Sequence, residues 1–188
     1  MSDDLSAAVT AIMGRYHFAG IHAEAVAALL GSLERRELTP GTVLFPERSH
    51  GNEMFFLTAG RVRISRTDHL GQLHHLADVE APDLIGQLSL IDNSTRSATA
   101  TALGPVTVRV LTRGVYAGLW NATTPAASAL RRLLLAALHE QLDRAQARWA
   151  QTAEARPRPP AAPPTPDLAP DDLVEDELIR SLGEDIAR

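Results

Sequence analysis

The spacing of apolar residues changes twice along the chain, which divides it into a helical, a strand-rich and a second helical region. Residues 1–38 carry apolar side chains at helical spacing, first in a segment over residues 1–15 and then from about Ala23 to Glu34. The first segment contains Leu5, Val9 and Ile12, and the second Val26, Leu29, Leu30 and Leu33. We therefore predict two amphipathic N-terminal helices.

Short apolar runs separated by turn residues follow from Leu38 to Thr112. Residues 61–65 alternate with a period of two, which predicts a strand with Val62 and Ile64 facing inward and the two arginines facing water. Similar runs at residues 42–45, 54–57 and 106–111 are also predicted strands. Several short strands at close, regular spacing are typical of an antiparallel sandwich or barrel.

A long helix is predicted from Pro125 to about residue 153, and it has two apolar stripes. One stripe follows the 3–4 spacing of a coiled-coil seam and consists of Leu135, Leu138, Leu142, Ala145 and Trp149. The other is available to pack on the strands and consists of Leu130, Leu133, Leu134 and Ala137. Two apolar faces suggest one for the domain and one for a second subunit, so we predict a homodimer through the seam. The alternative is that the seam folds back on the N-terminal helices.

The C-terminal segment differs from the rest in composition and charge. Residues 154–170 are rich in proline and alanine, which predicts an extended linker that cannot build a core. Residues 171–188 form a predicted acidic amphipathic tail whose apolar positions are Val174, Leu178, Leu182 and Ile186. We expect this tail to dock on a protein partner, and the alternative is an acidic tail that only increases solubility.

Charge and composition exclude several classes of function. The net charge is −5. Residues 167–188 contain eight acidic residues and two arginines and contribute −6, and the other 166 residues contribute +1. Neither part has the basic footprint of a nucleic-acid binder, so we expect no direct DNA binding. The chain contains no cysteine, and no paired-carboxylate or nucleophile–base pattern stands out, so we expect no catalytic residues and no enzyme activity.

We predict a cytoplasmic protein without a membrane segment. No apolar run reaches the roughly 18 residues that a membrane span needs, and the N-terminus is acidic, unlike a secretory signal. The one histidine cluster comprises His69, His74 and His75. Since neighbouring strand residues point to opposite faces, His74 and His75 cannot readily share a metal, and we predict no metal site.

Residues 84–99 carry the candidate chemistry. An apolar strand end turns at Gly86, makes about one helical turn, and returns through a polar loop to Arg96. Unpaired backbone N–H groups and an arginine fork both suit a phosphate group, so this stretch predicts an anion site. The candidate ligand-binding residues there are Gly86, Gln87, Leu88, Ser89, Arg96 and Ser97. The alternative is that Arg96 is a surface arginine paired with Asp92 or Glu80.

Residues 84–99 resemble the phosphate-binding cassette of cyclic nucleotide-binding domains, which reads Gly-Glu-(Leu/Ile)-Ala-Leu and then Pro-Arg-(Ser/Ala)-Ala. Residues 38–45 resemble the first strand of that family, residues 54–64 its glycine-turn strand pair, and residues 18–21 its Phe-x-Gly-Leu entry. The resemblance covers roughly residues 16–153. It implies an α+β fold, a β-jelly-roll or double-stranded β-helix barrel flanked by N-terminal helices and a long C-terminal helix.

The function implied by this resemblance is a regulatory sensor of cAMP or cGMP, with no other cofactor, that dimerises and signals to a partner. The ligand phosphate would then bind at the cassette and Arg96, and Gln141 would contact the base. Relatives of the catabolite activator type continue with a helix-turn-helix domain. We expect none here, because only 18 residues follow the linker.

Four departures from the family pattern leave a second interpretation open. Gln87 replaces a glutamate that accepts from the ribose 2′-hydroxyl, and Thr95 replaces a proline. Arg48 and Pro82 replace two loop glycines, so we expect both loops to take other conformations. The alternative function is therefore a degenerate scaffold that binds no nucleotide and acts through its tail.

Overall fold

The computed structural model describes residues 3–17 and 21–155, and the side chains of residue 148 and residues 151–155 are not considered. The elements are α1 (Asp3–Arg15), α2 (Ala23–Gly31), β1 (Glu34–Leu38), β2 (Val43–Phe45), β3 (Glu53–Ala59), β4 (Arg61–Thr67), β5 (Leu73–Glu80), β6 (Asp83–Ile85), α3 (Gln87–Ile91), β7 (Thr99–Ala102), β8 (Val106–Thr112), α4 (Arg113–Trp120) and α5 (Pro125–Ala155). Residues 1–147 form one unit and residues 148–188 another.

The strands form two four-stranded sheets in which every named pairing is antiparallel. One sheet has the order β1-β8-β3-β6 and the other β2-β7-β4-β5. Their inner faces share one apolar cluster, to which the first sheet contributes Phe55, Leu57 and Val108 and the second Val62 and Ala100. This arrangement confirms the predicted α+β jelly-roll.

A second apolar cluster joins the helices to the outer face of the first sheet. Along β3, Met54 and Phe56 enter this cluster while the intervening Phe55 and Leu57 enter the barrel, as the period of two requires. Helix α5 contributes the predicted stripe of Leu130, Leu133, Leu134 and Ala137, and all four are buried. Leu90 of α3 also lies in this cluster. The core therefore connects the cassette with α1, α2 and α5.

Two elements were missing from the sequence prediction. Helix α2 ends at Gly31, and Glu34, which was predicted to be helical, begins strand β1 instead. This edge strand reads Glu-Arg-Arg-Glu-Leu, and Arg36 pairs with both Glu34 and Glu53. Charged side chains are typical of edge strands, but they hide the strand from a search for apolar alternation.

Helix α4 was also missing from the prediction. Its N-cap is Thr112, whose side chain accepts a hydrogen bond from the Val115 N–H. The helix is only eight residues long, contains two glycines and buries none of its residues, so its few apolar positions did not suffice to predict it.

Candidate functional site

The cassette begins where β6 ends, and the backbone turns there at Gly86. This residue has φ +80°, in the left-handed region that glycine adopts without steric cost. A Cβ at this position would overlap Arg96 Nη1. Gly86 is therefore needed both for the turn into α3 and for the close approach of the arginine.

Arg96 lies inside the cassette and is buried, with 4% of its surface exposed. Its Nη1 donates to the Gly86 carbonyl at 2.7 Å and to Ser89 Oγ at 2.6 Å. Its Nη2 donates to the Glu53 carbonyl of β3. These contacts replace the ion pair with Asp92 or Glu80 that the sequence left open, so that alternative is wrong.

One edge of the Arg96 guanidinium is left without a hydrogen bond. The Nε is buried and has no partner among the described residues. The guanidinium carbon lies 4.0 Å from the centre of the Phe45 ring, a cation–π contact. Burial lowers the pKa of Arg96 from its ordinary value, the negative charge of Glu53 opposes this shift, and the positive charge of Arg113 adds to it. An arginine remains charged under these conditions, so the site presents a cation with an unused donor.

Arg113, at the start of α4, holds the cassette from the other side. Its Nη2 donates to the Gly51 carbonyl at 2.7 Å and to the Ser89 carbonyl at 3.0 Å, and its Nη1 donates to the Leu90 carbonyl at 3.1 Å. These are carbonyl groups of a short helix and of a neighbouring loop, and Arg113 satisfies them. Arg113 was not predicted as a site residue, because it lies 17 positions after Arg96 with no motif around it.

Gln87 and Gln141, two predicted ligand residues, contact each other. The Gln87 Nε2 donates to Gln141 Oε1 at 3.0 Å, which links the cassette to α5. The structure therefore brings the two side chains together. Whether Gln141 contacts a base stays a prediction.

Asp83 of β6, three residues before Gly86, is buried and accepts hydrogen bonds from several elements. Its carboxylate accepts from Arg15 Nη2 at 2.9 Å, from the Tyr16 hydroxyl at 3.0 Å and from the backbone N–H of Leu84 at 2.8 Å. Burial and the charge of Asp83 raise the pKa of Tyr16.

The same carboxylate reaches α5. Arg144 Nη1 lies 3.5 Å from Asp83 Oδ2, and Arg15 also donates to Glu140 at 3.0 Å. The strand that leads into the cassette is thus tied to α1 and α5 through charged side chains. This group was not predicted, because its members are up to 129 positions apart, at residues 15 and 144.

The remaining predicted ligand residues are more exposed. Leu88 and Ser97 are exposed, whereas Gln87 and Ser89 are buried. Gly86, Ser89 and Arg96 form one hydrogen-bonded group. Leu88 and Ser97 are their neighbours in sequence.

The expectation that the loop at Arg48 takes another conformation was wrong. Arg48 has φ +64°, in the left-handed region that favours glycine. Its backbone N–H donates to the Arg96 carbonyl at 2.8 Å, and the Arg96 N–H donates to the Ser49 carbonyl at 2.8 Å. The two backbone hydrogen bonds fix the loop to the cassette, and they hold Arg48 in a conformation that costs an arginine free energy.

On α5, the predicted seam lies largely at the surface. Leu135, Leu142 and Trp149 are exposed by 68%, 55% and 78%, and Leu138 and Ala145 are partly exposed. An exposed apolar row at heptad spacing is consistent with a subunit interface, which remains a prediction.

The three clustered histidines His69, His74 and His75 lie at the surface, and His74 and His75 each contact one carboxylate. His74 Nε2 lies 2.7 Å from Asp68, and His75 Nε2 lies 2.9 Å from Asp78. Within residues 3–17 and 21–155, the structure shows no group of three or more potential metal ligands.

No helix within residues 3–17 and 21–155 is both long and apolar enough to span a membrane. Residues 154 and 155, predicted to begin the linker of residues 154–170, are the last residues of α5 instead. The rest of that linker and the tail with Val174, Leu178, Leu182 and Ile186 lie outside the described residues.

Comparison with known proteins gives the same result for sequence and for structure. Residues 35–122 match the cyclic nucleotide-binding domain family model. The chain is 32% identical over 123 residues to the cyclic AMP receptor protein of Thermus thermophilus, covering 65% of this chain and 57% of that protein. The chain thus spans little more than half the length of that relative.

Two solved structures are each similar to about three quarters of the chain. One is the N-terminal domain of a transcriptional regulator from Streptomyces coelicolor A3(2), with a TM-score of 0.58 and 32% identity, covering 76% of this chain and 94% of that one. The other is a cyclic nucleotide-binding domain from Methylobacillus flagellatus KT, with a TM-score of 0.68 and 21% identity, covering 77% and 83%. At that identity the second match supports the fold alone.

Proposed function

This chain belongs to the cyclic nucleotide-binding domain family, and from that premise we propose that it is a regulatory sensor that binds cAMP or cGMP through Arg96. Its role is to bind a ligand and report occupancy rather than to catalyse a reaction. The relative from Thermus thermophilus is named as a cyclic AMP receptor, which favours cAMP as the first ligand to test.

The observation that carries the proposal is the unpaired Nε of Arg96. A buried N–H without an acceptor costs free energy, and a phosphate oxygen placed against it would remove that cost. The contacts of Nη1 and Nη2 with the protein hold the guanidinium in place before the ligand arrives. Binding then needs little ordering of the side chain, which favours affinity.

The ribose is the second point of contact in this proposal. Gln87 offers an amide oxygen where the family offers a carboxylate, and a neutral acceptor forms a hydrogen bond about half as strong as a charged one. The contact with Gln141 directs the amide nitrogen toward α5. We expect weaker binding than a glutamate would give, and we expect cAMP binding to change the environment of α5 through this pair.

We propose that the sensor is a homodimer through Leu135, Leu138, Leu142, Ala145 and Trp149. The exposed positions of this row support the proposal, because a solvated apolar row at heptad spacing gains free energy when a second helix covers it. In this proposal the protein is cytoplasmic and contacts a protein partner through its C-terminal tail. It does not bind DNA directly.

The second candidate function is the degenerate scaffold. It is favoured by one observation: Arg96 already donates three hydrogen bonds to groups of the protein itself. These three hydrogen bonds are enough to hold the cassette closed without a ligand.

Isothermal titration separates the two candidates. We expect wild-type protein to bind cAMP or cGMP more tightly than 5′-AMP, whose open phosphate has a different shape. Arg96→Ala should weaken binding at least tenfold, because a hydrogen bond to a charged group contributes about 1.5–3 kcal/mol. The matched control is Arg63→Ala, an exposed arginine of β4 paired with Asp78, which should not change the affinity. Absence of binding at millimolar cAMP and cGMP would leave the scaffold as the function.

A further inference from the structure

Two exposed arginines, Arg48 and Arg66, share one carboxylate beside the cassette. The Nε of Arg48 and the Nε of Arg66 each lie 3.7 Å from Oε1 of Glu47, so both guanidinium groups approach the same oxygen. Their side chains are 80% and 63% exposed, whereas the side chain of Glu47 is only 12% exposed. Two positive charges thus face one negative charge, and the cluster keeps an excess of positive charge at the surface.

The backbone holds Glu47 in place. Its Oε2 accepts from the backbone N–H of Thr67 at 2.9 Å, and its own N–H donates to Thr99 Oγ1 at 2.9 Å. The carboxylate therefore fixes the point at which the two arginines meet, at the end of β4. The next acidic residue, Asp68, is engaged in the hairpin turn, where it accepts from two backbone N–H groups and contacts His74.

The backbone of Arg48 joins this cluster to the cassette. The Arg48 N–H donates to the Arg96 carbonyl, and the carbonyl of the next residue, Ser49, accepts from the Arg96 N–H. An isolated bridge between His50 and Thr95 continues the pairing. The peptide of Arg48 is thus fixed to the arginine to which the proposed function assigns a phosphate, while its guanidinium lies in solvent beside that site.

Backbone strain at Arg48 indicates that its side chain has a function. Its φ of +64° favours glycine, and the family pattern places a glycine here, yet this chain has an arginine. Strained residues of this kind cluster at functional sites. Arg63, on the same strand as Arg66, gives a comparison: its φ is negative, and it has a carboxylate of its own, Asp78, at 3.1 Å.

We propose that Arg48 and Arg66 together bind a second phosphate group, belonging to a nucleotide whose first phosphate is bound by Arg96. Two guanidinium forks match the charge and the acceptor oxygens of a phosphate. The second phosphate would also supply the negative charge that Glu47 alone does not. This inference rests on the proposed function, since it requires the first phosphate at Arg96, and it extends the ligand class to nucleotides with two phosphates.

The cyclic dinucleotides c-di-AMP and c-di-GMP test the proposal, because they carry the bases of cAMP and cGMP and two phosphate groups. At low salt, Arg48→Gly should weaken binding of the dinucleotide roughly tenfold, the loss of a hydrogen bond to a charged group. Its affinity for cAMP should stay within about threefold of wild type, because Arg96 still binds the first phosphate. Glycine adopts the φ of this position without strain, so a misfolded loop cannot explain the loss.

Two further variants locate the second phosphate. Arg66→Ala should show the same selective loss for the dinucleotide. The matched control is Arg63→Ala, which should bind both ligands like wild type. In protein labelled with ¹⁵N-arginine, the Nε peaks of Arg48 and Arg66 should move on addition of the dinucleotide and stay in place with cAMP.

Each outcome decides between this inference and the proposed function. Equal losses for cAMP and the dinucleotide in Arg48→Gly would overturn the inference, because the loop would then only shape the cassette. Arg48 and Arg66 peaks that do not move with the dinucleotide would also overturn it. If wild type binds cAMP through Arg96 but neither dinucleotide, or binds a dinucleotide independently of Arg48, this inference fails while the proposed function stands. If wild type binds no nucleotide, both fail.

Discussion

At the scale of single residues, Gly86 determines where the Arg96 guanidinium can lie. The residue combines a positive φ with the close approach of Nη1, and only glycine satisfies both conditions. Gly71, in the turn between β4 and β5, has the same φ of about +81° but no heavy atom within 4 Å of a Cβ. A substitution at Gly71 would therefore strain the backbone alone, whereas one at Gly86 would strain the backbone and also displace Arg96.

Gly86→Ala and Gly71→Ala should both lower the free energy of unfolding by about 1–3 kcal/mol, the usual cost of a strained backbone. Gly86→Ala should also move Arg96 and weaken cAMP binding at least tenfold, whereas Gly71→Ala should bind cAMP like wild type. Urea unfolding and isothermal titration of both variants provide the measurements. Equal affinities in the two variants would show that Arg96 does not depend on Gly86.

How far the residues of the site could be predicted depended on their distance along the chain. Gly86, Ser89 and Arg96 were found because they lie within 11 consecutive positions and follow a local turn-and-helix pattern. Arg113 was missed, since its partners are backbone carbonyls, which any residue can supply. The conformation of Arg48 was wrongly predicted, because two backbone hydrogen bonds outweigh the local preference of arginine.

At the scale of the elements, Asp83 connects β6 with α1 and α5. Its carboxylate is buried, while Arg15 and Arg144 keep part of their surface in water. Removing one partner of a buried ion pair costs about 3–5 kcal/mol. The cost here should be lower, because the two arginines can be solvated.

Asp83→Asn keeps the shape of the side chain and removes its charge, so we expect it to lower the free energy of unfolding by roughly 2 kcal/mol. Asp78→Asn is the control, because Asp78 pairs with Arg63 at the surface and its loss should have little effect. Urea unfolding measures both variants. Hydrogen exchange should become faster in residues 138–147 of α5 in Asp83→Asn alone. Unchanged exchange there would show that Asp83 does not hold α5.

The elements themselves were predictable where at least one face of each was apolar. Helix α2, strands β3 and β4 and the buried stripe of α5 met that condition. Strand β1 did not, because it is charged and forms a sheet edge. Helix α4 has apolar residues at helical spacing, but with eight residues and two glycines it is too short for that pattern to identify it.

At the scale of the whole molecule, the proposed dimer depends on α5. Leu135→Glu combined with Leu142→Glu places charges at two exposed positions, so the protomer should fold normally while the interface would bury unpaired charges. Sedimentation velocity should show a dimer for wild type and a monomer for the double variant. Leu70→Glu with Leu73→Glu, two exposed leucines of the β4–β5 hairpin region, is the control and should remain dimeric. A wild-type monomer at micromolar concentration would contradict the dimer.

The central claim is that Arg96 binds the phosphate of a cyclic nucleotide through its free Nε edge, and nuclear magnetic resonance can observe that N–H directly. In protein labelled with ¹⁵N-arginine, the Nε cross-peak of Arg96 is identified among the 18 arginines by its loss in Arg96→Lys. On addition of cAMP we expect this peak to move to higher ¹H frequency, as a charge-assisted hydrogen bond forms, while the peak of Arg63 stays in place. An Arg96 peak that does not move at saturating cAMP would contradict the account.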